Sequence, residues 1–124
     1  MHRNIQGELS RFSFDLYDLL EQAKSIVPGV ISSAVSIWIL GHASLLAFIE
    51  IGDVEKKIVL HPLLNHPDTP LEVIRFILIH KLIHIVIPSV EIEGRQLDHP
   101  DSFWALEKQL VPERALYWAW MYIH

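Results

Sequence analysis

The sequence predicts a single α+β domain: a first helix, a small and mostly antiparallel three-stranded sheet, a central helix carrying histidines, and closing helices. Three observations lead there. The chain has 124 residues, the length of one domain around one core. It is 51% hydrophobic and 20% charged, which suits a sizeable core and excludes a disordered chain. Its hydrophobic pattern runs from helical to strand-like and back to helical, and no repeat, low-complexity tract or Pro/Gly/Ser linker divides residues 1–124.

Residues 8–23 place Leu9, Phe12, Leu16, Leu19, Leu20 and Ala23 at helical spacing, with Glu8, Arg11, Asp15, Asp18 and Glu21 on other faces. Pro28 and Gly29 end that helix. Residues 25–49 then carry no charge, a run longer than the roughly 20 positions that span a bilayer. Pro28, Gly29, Gly41, Ser32, Ser33, Ser36 and Ser44 cut it into strand-sized pieces, so no membrane span is expected. The reading is a β-hairpin of strands near 34–40 and 45–51, buried on both faces, with its turn at Gly41, His42, Ala43 and Ser44. A third strand near 56–60 follows a turn at Gly52 and Asp53, and Lys56 and Lys57 mark an exposed edge. Residues 61–68 hold two prolines and an asparagine and read as a loop.

The central helix is the best signposted. Thr69 stands as N-cap, Pro70 at the first helical position and Glu72 three residues after the cap, which together make a capping box. The helix runs to about Ile87, because Pro88 cannot continue it and disfavours helical geometry just before itself. Only Glu72, Arg75 and Lys81 are charged along it, so it is buried on most faces. A polar loop with Gly94 over 89–98, a shorter helix over 100–110 and a last helix from Glu113 complete the chain.

Fifteen acidic residues against ten basic give a net charge of −5, without the basic block of a non-specific nucleic-acid binder. With no cysteine, a soft-metal site must be built from histidine and carboxylate. The start, Met1 to Asn4, soon meets Glu8 and Asp15 and does not read as a signal peptide, so the expected compartment is the cytoplasm.

His80 and His84 are four apart on the central helix, which puts both imidazoles on one face with Cβ atoms about 5–6 Å apart. That spacing lets two rings grip one metal ion, and zinc is a natural occupant. The competing reading is that of hydrogen-bonded core histidines, but two unpaired imidazoles buried together would be costly, which favours a shared metal ion. His99, fifteen residues beyond His84, is the third candidate ligand. Glu72, two turns before His80 and about 12 Å along the axis, is too far to take part. Asp98 flanks His99 and is the candidate to orient a histidine ring, while Asp101 reads as a helix cap and Glu107 as a surface charge. Phe103 and Trp104 pack their helix over the central one. The aromatic end, 116–123, is too short to span a bilayer and either seals the core or offers Trp118 and Trp120 to a protein partner or a homodimer. His61 and His66 lie in the loop before the central helix, and His2, His42 and His124 are incidental.

The segment 57–112 resembles the zincin-like metal-dependent hydrolases of the SprT-like and YgjP-like (WLM-type) group. Three ordered motifs carry the resemblance. Ile58, Val59, Leu60, His61, Pro62, Leu63 and Leu64 match an I-x-L-x-P-x-L stretch that follows a strand. The helix ending in His80, Lys81, Leu82, Ile83 and His84 matches the histidine–glutamate–x–x–histidine helix, and His99 to Glu107 match a third histidine ahead of a phenylalanine–tryptophan helix. The resemblance implies a zincin-like fold, one zinc held by His80, His84 and His99, and a peptide or protein substrate. It also places Lys81 at the position of the family's general base, a glutamate. A protonated lysine accepts no proton, and losing a general base costs about 10²–10⁴-fold. The expectation is therefore a zinc-binding homologue, weak or inactive as a peptidase. The alternative is a metal-free interaction module in which Lys81 fills the vacated site or pairs with Asp98. The group includes proteins acting on DNA-linked substrates, and no basic patch here supports carrying that over.

Overall fold

The computed structural model describes residues 15–39, 47–52, 55–61, 64 and 68–123. The expected helical turns over 8–14, the turn at 41–44, Asp53 of the second expected turn, Pro62, Leu63, His2, His42, His66 and His124 lie outside the described residues. The architecture is α+β, with four helices and two small sheets among the described residues.

Helix α1, Leu16–Ile26, starts where the Asp15 carboxylate accepts the Asp18 amide at 3.0 Å and ends three residues later than expected, just before Pro28. It buries Leu16, Leu19, Leu20 and Ala23, the stripe its sequence spacing sets out. Gly29, at φ 89°, takes the chain out of the helix in a conformation few side chains tolerate.

Strands β1, Val35–Ile39, β2, Ala47–Ile51, and β3, Lys56–Leu60, fall within a residue or two of their expected positions. Their pairing does not follow the expectation. The order is β1-β3-β2, so the first two strands are not hairpin partners. β3 runs parallel to β1, with Ile37 opposite Ile58, and antiparallel to β2, with Ile49 opposite Ile58. The sheet is mixed, and the hairpin joins β2 to β3. Gly52 makes its turn possible, because a Cβ there would meet the Glu55 carbonyl oxygen at 2.9 Å. β3 is central, so Lys56 and Lys57 mark no edge. Lys57 lies opposite Glu50 across the antiparallel pair and sits 4.4 Å over the Trp38 ring.

Helix α2, Leu71–Val86, packs on the sheet and on α1 as the core element. Nine of its sixteen residues are buried, which is what an apolar surface on nearly every side requires. The capping box does not form: Pro70, with extended backbone, is the N-cap, no side chain caps the helix, and Thr69 is buried instead. Ile87 closes the helix ahead of Pro88, as expected. The segment expected to be a loop is a second hairpin, β4, Val90–Ile92, and β5, Arg95–Leu97. Its turn residues Glu93 and Gly94 both have positive φ, at 52° and 76°, which matches the twist of a two-residue hairpin. Helices α3, Asp101–Leu110, and α4, Arg114–Ile123, then pack back onto α2. Among the described residues, no helix is long and apolar enough to cross a membrane.

Candidate metal centre

His80 and His84 project from one face of α2, and His99, at the end of the second hairpin, folds back over them. One donor nitrogen from each lies within 4.8 Å of the other two. The Nε2 atoms of His80 and His99 are 3.2 Å apart. Two ligands on one zinc at about 2.0–2.1 Å in tetrahedral geometry would be separated by about 3.3 Å, so this pair is already near that spacing. Phe103 of α3 is fully buried beneath all three rings, with centroids 4.6 to 4.8 Å away, and Trp104 stacks on His99 at 4.8 Å. The aromatic helix therefore packs over α2 as expected and clamps the imidazoles while doing so.

The decisive polar contact was not among the expected ones. Glu107 is 0% exposed, and its Oε2 lies 2.5 Å from His80 Nδ1. Its Oε1 accepts from Trp118 Nε1 at 3.0 Å and from Arg114 Nη1 at 3.3 Å. Read from the sequence as a surface charge, Glu107 is instead the buried carboxylate that orients a candidate ligand. A signal for this was present: Phe103, Glu107 and Val111 recur every four residues, which puts Glu107 on the face that α3 buries.

Burial pulls His80 below its ordinary range and outweighs the opposing pull of Glu107. Burial works against the Glu107 charge too, but hydrogen bonds from His80, Trp118 and Arg114 outweigh it and hold the carboxyl below its usual range. The pair is therefore a carboxylate accepting from a neutral imidazole. That fixes the proton on Nδ1 and leaves the Nε2 lone pair facing the cluster. Burial also lowers His99, and with help from the neighbouring rings and Lys81 it brings His84 down to about 4. Neutral imidazoles are the form that binds metal. The donor set fits zinc: three converging nitrogens, one oriented by a carboxylate, facing a cleft.

That cleft has a volume of about 770 Å³. Lys81 lies along it beside the three histidines. Ile49 and Ile51 of the edge strand β2 form one apolar wall, and Trp118, Met121 and Tyr122 of α4 form another. Asp98 stands at the exposed rim, where Ser89 Oγ and Gln96 Nε2 donate to its Oδ1 at 2.9 and 3.0 Å. The Ser89 bond foremost keeps its carboxyl below the ordinary range. Asp98 thus braces the hairpin and, among the described residues, hydrogen-bonds no histidine ring. Among the described residues Lys81 forms no ion pair, with Asp98 or any other carboxylate, and burial lowers its ammonium from the usual range. Asp101 opens α3 without capping it, and His61 lies outside the cluster.

No protein-family model and no curated protein matches the chain. Among solved structures it is similar to the crystal structure of the metallopeptidase zymogen of Pyrococcus abyssi abylysin, with 26% identity and a TM-score of 0.60. The similarity covers 78% of this chain and 80% of that one. Fold and histidine cluster together describe a metallopeptidase-like scaffold, zincin-like in general terms, with three histidines placed to hold a zinc ion.

Proposed function

We propose that this chain is a zinc-binding homologue of the SprT-like and YgjP-like metal-dependent hydrolases, weak or inactive as a peptidase. The observation that carries the proposal is the convergence of His80, His84 and His99 on a cleft where Lys81 stands next to His80. Zinc held by the three histidines would supply Lewis-acid polarisation of a carbonyl. The remaining roles fall to the chain's own groups. Glu107 holds His80 in the ligating tautomer. The outer edge of β2 borders the cleft and offers backbone groups to an extended peptide, whose side chains would meet Ile49 and Ile51. Proton transfer is the missing function. Lys81 brings donors and no acceptor, Glu107 is committed to His80, and the carboxylate lining the cleft, Asp98, is tied to Ser89 and Gln96 at the rim.

A second reading is a metal-free binding module, favoured by the Lys81 ammonium lying beside the cluster, where it can stand in for the charge of an ion. Elemental analysis of protein purified without chelator separates the two. About one zinc per chain, lost in His84→Ala, is the expected result. No zinc after supplementation would overturn the metal reading. In the zinc-loaded protein, Lys81→Glu restores an acceptor, and we expect peptide cleavage to rise by about 10²-fold or more over the parent.

A further inference from the structure

Lys81 removes a proton acceptor from the cleft, yet its placement adds a charge there. The cleft joins two surfaces of different character. One is apolar, built from Ile49, Ile51 and Met121. The other carries the Lys81 ammonium beside the three imidazoles, with no carboxylate paired to it among the described residues. Glu107 gives its charge to His80, Trp118 and Arg114, and Asp98 is held at the solvent-exposed rim. An ammonium at a partly dehydrated wall attracts an anion more strongly than one in open water, and no carboxylate among the described residues pairs with it.

We propose that the cleft is a receptor for monocarboxylates bearing an apolar group, such as the C-terminal end of a peptide finishing in a branched aliphatic residue. The carboxylate pairs with Lys81, and the side chain lies against Ile49, Ile51 and Met121. The proposal deepens the reading of the same cleft as a peptide site but does not require zinc, since the charge it uses belongs to the chain.

The test compares N-acetyl-leucine, its neutral amide N-acetyl-leucinamide, and acetate by calorimetric titration at neutral pH into chelator-treated protein. N-acetyl-leucine is expected to bind at least about tenfold more tightly than either of the others. In Lys81→Met, which keeps the length and apolar stem of the side chain, the preference over the amide disappears. In Lys81→Arg it is retained. Equal binding of acid and amide, no binding of either, or a preference that survives in Lys81→Met would overturn the proposal. Acetate binding as tightly as N-acetyl-leucine would remove the apolar half of it. The titrations are repeated after zinc loading, with zinc content measured separately. A preference seen only with zinc and unchanged in Lys81→Met assigns the anion to the metal and sinks the role of Lys81. Absence of zinc binding sinks the metal reading and leaves the titrations in chelator-treated protein to decide.

Discussion

The histidine cluster has an inner and an outer side, and each carries one carboxylate. On the inner side, α3 and α4 close over α2, and Glu107 receives three donors with no contact to solvent. On the outer side, the β4–β5 hairpin is exposed along its whole length, and among the described residues Asp98 bonds only to neighbours on its own loop. The same functional group therefore does different physical jobs. Glu107 is tied to the core, so its loss would be felt by the fold and by His80 at once. Asp98 stays hydrated when unpaired, so its loss should be felt hardly at all.

Glu107→Ala gives the largest effect and the most direct break of this comparison. It strands the buried His80 N–H and leaves the half-buried Trp118 and Arg114 donors without their acceptor, although Arg114, 27% exposed, can turn to water. Such groups cost about 1–3 kcal/mol each when unsatisfied, and partial relaxation leaves a net loss of roughly 3 kcal/mol in urea unfolding. Because His80 loses its orienting carboxylate, zinc affinity should fall by about 10–100-fold. Asp98→Ala should move neither quantity measurably. Equal losses in the two variants would show that the inner and outer carboxylates are not distinct.

Trp118→Phe sharpens the same contrast on a smaller scale. It keeps a ring against Phe76 and His80, whose centroids lie 5.5 and 5.2 Å away, and removes the N–H to Glu107 together with part of the indole bicycle. We expect a loss of about 2 kcal/mol, within the range of one hydrogen bond to a charged acceptor. The accompanying change in zinc affinity should be smaller than in Glu107→Ala, since His80 keeps its carboxylate. A larger affinity loss in Trp118→Phe would mean that the ring itself, rather than Glu107, positions His80.

What could be read from the sequence follows the range of the interactions. Local signals held: the spacing of Leu16, Leu19, Leu20 and Ala23, the stop at Pro88, and the shared face of His80 and His84. The return of His99 was legible as a loop long enough to turn back. Pairing was not legible. β1 joins β3 rather than its neighbour in sequence, a choice made by non-local burial that strand composition does not encode. The second hairpin hid because Glu93-Gly94 is not the Asn-Gly or Asp-Gly turn that usually announces one. The two carboxylates were read in reverse because nearness in sequence to His99 favoured Asp98, while Glu107 reaches His80 only through the crossing of α3 over α2.

The finest test of the inner side is its response to acid. In the metal-free protein, burial brings His84 down to about 4, and His80 and His99 shift the same way, from an ordinary value of 6.5. As pH falls below about 6.5 the unfolded chain takes up protons that the native chain refuses, so stability falls. The contribution is complete above that value and is lost progressively as pH drops toward 4. Glu107, held below 4.5 in the native state, acts in the same direction at still lower pH. Urea unfolding of chelator-treated protein between about pH 8 and pH 5 should therefore show decreasing stability, and His84→Asn should flatten the curve. Stability that rises with acid would reverse the assignment of protons: His80 would then be a cation paired with Glu107. In that case the inner side would be an ion pair already charged before any metal arrives, and its Nε2 would carry a proton that a metal ion must displace.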